Sequence, residues 1–324
     1  MKNITALFVL SLSFCLAAVA RAQIKASHFP QDAQWVLHMD LKALNEAPMG
    51  QFLQHAMDDQ MRRGLSSLTA KSGINLTNDV DSLVVCGKGN AGAGGVMYAY
   101  GRFNIPKLTA IVGGSTDFES QTCGAHKVLS WSDKGKRTNL CFINPTLAVM
   151  SQDEQLVQEA ITLIDGKAKG LSPDQSFAKM LMHRKGRFLS IQANNLAALA
   201  GANPQFQLFS QAEALQLEIG QLNGANGLDC ALALKAPNKE MAQQLNQAAL
   251  GLQALAMLQA AKNPDTAEIA QNLKIGMQDT FVTVNLQISE ALLKKMAQNR
   301  QMQQKDGAAS GTGNAAKRPA QTTF

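Results

Sequence analysis

The sequence predicts an α+β protein, internally duplicated, with helices packed on one face of antiparallel sheet. Three observations lead there. Short runs alternate apolar and polar residues, as Leu215, Leu217 and Ile219 do against Gln216 and Glu218, which is the period of a strand with one covered face. Other segments repeat apolar residues every three or four positions behind a capping residue, the period of an amphipathic helix. The order strand, helix, hairpin, helix, strands, helix then occurs twice, dividing the chain into a first repeat over 23–166 and a second over 167–300.

Residues 1–22 read as a secretory signal peptide. Lys2 is a short positive region, residues 6–19 are an apolar stretch too short to span a bilayer, and Ala20-Arg21-Ala22 is a small-x-small cleavage site. The mature chain is expected to begin at Gln23, in the periplasm or outside the cell. Cys15 follows Phe14, whereas lipid attachment wants a small residue before the cysteine. No later stretch reads as a membrane span, because the apolar run over 241–261 is interrupted by Gln243, Gln244, Gln247, Gln253 and Gln259.

The first strand is Trp35-Val36-Leu37-His38-Met39-Asp40-Leu41, with Asp40 at the N-cap of the helix that follows. Pro48 suits the first turn of a further helix, whose Met49, Phe52, Leu53, Ala56 and Met57 form one stripe. Strands over 80–86 and 96–103 flank a glycine-rich loop, and Asn104 caps a short helix holding Leu108, Ile111 and Val112. Strands near 127–131, 137–143 and 147–150 lead to Ser151-Gln152-Asp153-Glu154, which reads as a capping box for the helix of Leu156, Val157, Ala160, Ile161 and Ile164.

The second repeat restates this order. Asn195-Leu196-Ala197-Ala198-Leu199 matches Asp40-Leu41-Lys42-Ala43-Leu44, each behind an extended run. A hairpin crosses 223–227, Asn238 caps a long helical excursion over 239–273, and the alternation of Val282, Val284, Leu286 and Ile288 runs into a cap at Ser289. From Gln301 the chain is aperiodic and polar, a composition that predicts a disordered tail.

Composition narrows the function classes. Loss of Lys2 and Arg21 with the leader leaves 28 basic and 24 acidic residues, a net +4, and the tail carries +2 of it. A nearly neutral body argues against nucleic acid as a partner. Four cysteines remain, Cys86, Cys123, Cys141 and Cys230. Cys123 and Cys141 flank the turn at Ser132-Asp133-Lys134-Gly135 and are the preferred disulfide pair; the alternative is that the thiols are small buried hydrophobes.

Several motifs fail for want of context. Gly87, Gly89 and Gly92 fit the dinucleotide pattern, but the loop opens a strand where pyrophosphate needs a helix N-terminus. Ser176-Phe177-Ala178-Lys179 matches S-x-x-K without its partner motifs. The histidines His28, His38, His55, His126 and His183 show no metal-ligand spacing. His38 and Asp40 share a strand face, yet their second-repeat counterparts are Ala193 and Asn195, which keep a cap and lose the base. Lys179, His183, Arg184, Lys185 and Arg187 read as a solvated basic face at a helix end. No cofactor, no metal and no catalytic residue is expected.

Two surfaces remain. Tyr98, Tyr100 and Arg102 alternate on one strand face and are residue types favoured at recognition sites, although tyrosine also suits a half-exposed strand. The Ala, Leu, Met and Gln helix over 241–261 is the other, either as a groove for lipid or a partner helix or as a core-packing helix.

The leader together with Asp32-Ala33-Gln34-Trp35-Val36-Leu37-His38-Met39-Asp40-Leu41, Met49-Gly50 and Gly101-Arg102-Phe103 resembles a group of exported bacterial proteins of unassigned function, over about 29–298. The resemblance implies an envelope or secreted setting and carries no catalytic residues. The expectation is an exported, non-enzymatic binding or structural module of the cell envelope, with a protein, lipid or cell-surface polymer as partner. The rival is a secreted hydrolase whose site is scattered along the chain.

Overall fold

The computed structural model describes residues 24–55, 78–89, 94–133, 135–172, 186–194, 209–222, 227–260 and 264–298, with isolated positions 63, 66, 75 and 196. The segment that reads as a signal peptide (1–22), Ser176 to Lys179, His183 to Lys185 and residues 301–324, expected as a tail, lie outside them. The protein is α+β, with twelve strands in antiparallel ladders and seven helices among the described residues.

The chain forms two compact units. Residues 43–55 belong with the second unit, and β8 (Arg187–Asn194) is divided between the two.

In the first unit, β1 (Trp35–Asp40), β2 (Val80–Gly87), β3 (Val96–Gly101), β4 (Glu119–Cys123), β5 (His126–Asp133), β6 (Lys136–Asn144) and β7 (Leu147–Ser151) lie in the order β1-β2-β3-β7-β6-β5-β4. The glycine-rich segment connects β2 to β3 with Cys86 opposite Val96, so it opens a strand, as its lack of a following helix signature predicts. Two helices cover this sheet, α3 (Ile105–Gly113) and α4 (Glu154–Ile164).

These helices take opposite faces, which corrects the one-face expectation. Ala160 of α4 packs with Val84, Tyr98 and Val149, whereas Leu108 of α3 packs with Ala148, Ala99 and Leu83. Adjacent residues such as Ala148 and Val149 point to opposite faces of a strand, so both faces here are apolar. The caps are as predicted at Asn104, whose side chain accepts from Lys107 N–H at 3.2 Å. At α4 the cap is Asp153, accepting from Gln155 N–H at 2.8 Å, while Ser151 ends β7 and accepts from Asp153 N–H.

The second unit holds β9 (Ala214–Gln221), β10 (Gly227–Lys235), β11 (Leu273–Gln278) and β12 (Phe281–Ser289) in the order β11-β12-β10-β9, with α5 (Lys239–Ala260), α6 (Pro264–Asn272) and α7 (290–298). The predicted excursion over 239–273 is two helices followed by a strand. Asn238 and Ser289 act as caps, accepting from Met241 N–H at 2.8 Å and Leu292 N–H at 3.2 Å.

Helices α1 (Leu41–Glu46) and α2 (Pro48–His55) come early in sequence yet pack in this unit. Met49, Phe52 and Leu53 meet Phe188, Ile219, Leu228 and Leu293, and Met49 N–H donates to Gln221 Oε1 at 3.0 Å. The pair Met49-Gly50 has a steric reason: a Cβ on Gly50 would lie 1.6 Å from the Leu44 carbonyl oxygen. Gly101-Arg102-Phe103 has the same one, since a Cβ on Gly101 would lie 2.0 Å from the Asp79 carbonyl oxygen. The motifs that carry the resemblance are places where backbones touch.

Candidate functional site

Tyr98 and Tyr100 do not form a partner surface. They are 0 % and 1 % exposed, on the β3 face that α4 covers. Tyr98 lies edge-on to Phe29, with ring centroids 4.6 Å apart, and its hydroxyl donates to the His28 carbonyl at 2.9 Å. Tyr100 buries its hydroxyl without a hydrogen-bond partner. Burial pushes both phenol pKa values up, so both stay neutral. Arg102, beyond the end of β3, stays exposed, bonded to the Asn78 carbonyl and 3.5 Å from Asp81. Alternation places three residues on one face without saying whether that face is covered.

The Cys123 and Cys141 disulfide is also absent. All four described cysteines are free thiols. β5 lies between them: Cys123 pairs with His126 and Cys141 with Val128, so they stand two strands apart. Two strand spacings are about 10 Å, beyond the Cα separation a disulfide spans. The sequence reading missed β4, an exposed strand of polar residues that carries no apolar alternation. Burial pushes the Cys86 and Cys141 thiols up to about 12.

Three polar clusters could carry chemistry. In the first, on β1 and β2, His38 Nε2 lies 2.9 Å from Ser82 Oγ and Asp40 sits opposite Ser82. A hydroxyl, an imidazole and a carboxylate on one face have the composition of an acyl-transfer site. All three are buried, at 5 %, 8 % and 7 % exposure, and they line neither of the two concavities described below.

The second cluster is Cys123, His126, Asp165 and Lys167. His126 Nε2 lies 3.0 Å from Asp165 Oδ1, and Lys167 reaches Asp165 Oδ2 at 2.8 Å. The Lys167 ammonium, then His126, holds the Asp165 carboxyl below its usual range. Among the described residues no group of three His, Cys, Asp or Glu side chains is arranged to hold a metal.

The third is Lys88, whose ammonium bridges Glu159 at 2.8 Å and Asp32 at 3.1 Å beside a concavity of about 440 Å³. Its hydrogen bond to Glu159 is the largest cause that raises its pKa. Here the charges satisfy one another. Arg187, expected on a solvated basic face, pairs with Asp229 at 2.9 Å and lies 3.7 Å from Glu218, itself mostly buried. A second concavity is lined by Gly276, Met277, Gln278, Asp279, Phe281 and Thr283 at the β11–β12 turn.

The surface that stands out is the second half of α5. Near its start the helix buries Ala242, Leu245 and Ala249, as an amphipathic helix should. From residue 250 the polarity inverts. Gln253 turns inward and donates to the carbonyls of Ala270 and Leu273 at 3.0 and 2.8 Å. Leu250, Leu252, Leu255, Met257 and Leu258 face out, at 45, 55, 56, 47 and 73 % exposure. Met277 and Phe281, on the β11–β12 hairpin, are exposed as well. A soluble monomer normally scatters such residues; a contiguous set marks an interaction surface.

Fold and site together define an α+β protein whose second unit exposes a set of apolar side chains on α5. No family model matches the chain, and no curated protein does. Among solved structures, the chain is similar to TP0453 in crystal form I, with TM-score 0.50 at 12 % identity over 86 % of this chain and 98 % of that one. TP0453 in crystal form IV gives TM-score 0.48 at 11 % identity over 85 % and 98 %. The likeness to form I is one of fold.

Proposed function

We propose that the protein is an exported, non-enzymatic module of the cell envelope that docks onto a partner through the apolar surface of its second unit. The observation that carries this reading is the outward set Leu250, Leu252, Leu255, Met257 and Leu258. Five half-exposed aliphatic side chains are a standing cost in water, and covering them returns about 1 kcal/mol each. Export is supported by the composition of residues 1–22 and by the resemblance to exported bacterial proteins. The repeated order of elements supports descent from an internal duplication, with α5 and α6 enlarging the second copy.

The hydrolase reading would rest on the His38 and Ser82 pair, and both of those side chains are buried. The test is photo-crosslinking in the native envelope from a probe at position 252, followed by recovery of what is attached. A crosslinked partner lost on changing Leu255→Gln supports the reading; a probe that reacts only with water removes it.

A further inference from the structure

We infer that what covers the outward face of α5 is a lipid surface whose headgroups need carry no charge; this rests on the docking reading above. The geometry of the exposed set distinguishes lipid from a partner helix. At 100° per residue, Leu250, Leu252, Leu255, Met257 and Leu258 spread over roughly 220° of the helix circumference. A helix packed against one other helix buries a narrow seam, two positions in seven, and leaves the rest of such an arc wet. Fluid acyl chains have no seam and cover an arc of any width.

Charge points the same way. From Met241 to Ala261 the sequence holds no Asp, Glu, Lys or Arg. Surface helices that seek anionic membranes carry lysine and arginine on their polar flank, and this one carries glutamine and alanine. Its attachment is therefore apolar and insensitive to salt.

The helix lies along the surface rather than across it. It is 22 residues long, about 33 Å of rise, and no described helix is long and apolar enough to cross a membrane. Its inner face is already engaged, through Gln253 to α6 and β11. Gly251, among the leucines, has nothing within 4 Å of where a Cβ would stand, so the outer face is open to approach.

The experiment is flotation of the chain from Gln23 onward with vesicles of phosphatidylcholine alone, at low and high salt, set beside the triple variant L252Q/L255Q/L258Q. These positions are exposed, so the variant should keep the melting midpoint of the parent, which circular dichroism checks. The expected result is flotation at both salt levels and at least a ten-fold loss of bound protein in the variant. Flotation only with anionic vesicles, abolished by salt, overturns the inference, as does undiminished binding by the folded variant. Analytical ultracentrifugation separates the remaining outcomes. No flotation, with self-association that the triple variant abolishes, overturns the lipid inference and keeps the docking reading with a second copy as occupant. Neither flotation nor self-association, together with a silent crosslinking probe, removes both.

Discussion

Changing Tyr98→Phe removes one oxygen from a fully covered site, and changing Tyr100→Phe removes the same atom two residues along the same strand face. The structure gives them opposite consequences. The Tyr98 hydroxyl donates to the His28 carbonyl at 2.9 Å, tying the segment before β1 to the sheet, and the ring keeps its contact with Phe29 in either variant. Losing that bond costs about 1 kcal/mol, or about 2–4 °C of melting midpoint for a unit of this size. The Tyr100 hydroxyl is buried with no partner, so the fold bears its desolvation without return. Tyr100→Phe is neutral or stabilising by up to about 1 kcal/mol. Urea and thermal denaturation followed by circular dichroism measure both. Equal losses in the two variants would refute the hydrogen-bond account. Unchanged stability in both, with loss of a partner, would refute burial itself and restore these tyrosines as a recognition surface.

Native-state alkylation at pH 8 should leave Cys86 and Cys141 unmodified, because burial holds both thiols near 12; mass mapping without reductant should find no bridge between Cys123 and Cys141. Gly50→Ala should cost about 2 kcal/mol or more, since its Cβ would overlap the Leu44 carbonyl and the backbone must move; a silent substitution in a melting experiment would refute the close approach. Asp165 has a depressed pKa, so its contribution is fully present above the ordinary value near 3.8 and is lost as pH falls through the lower folded value. The melting difference between the parent and Asp165→Asn should therefore shrink and vanish as pH falls through the depressed carboxyl value. Asp40→Ala, at the junction of β1 and α1, should cost roughly 0.5 to 2 kcal/mol as a lost cap.

Helix stripes, strand alternation and caps were legible in the sequence because each is a local pattern. Asn104, Asn238 and Ser289 were found this way, and each accepts the backbone N–H three residues on. The polar strand β4 was missed because nothing in it alternates, and β11 because Leu273 to Gln278 follows directly on a helical run. The candidate site was legible only as a composition. Alanine, leucine, methionine and glutamine on a helix fit a core as well as a surface, and Tyr98, Tyr100 and Arg102 fit a surface as well as a core.

By itself the sequence determined most of the strands and helices, though not β4 and β11, and where many of them begin, since these follow from side-chain period and from backbone groups satisfied within a few residues. It also determined that α5 carries no charged residue after Glu240. Only the tertiary structure decided that Met49, Phe52 and Leu53 pack with the second unit, that α4 covers the tyrosines, and that Gln253 turns inward while the leucines around it face out. Burial is a property of what lies opposite a side chain, and what lies opposite comes from residues distant in the chain.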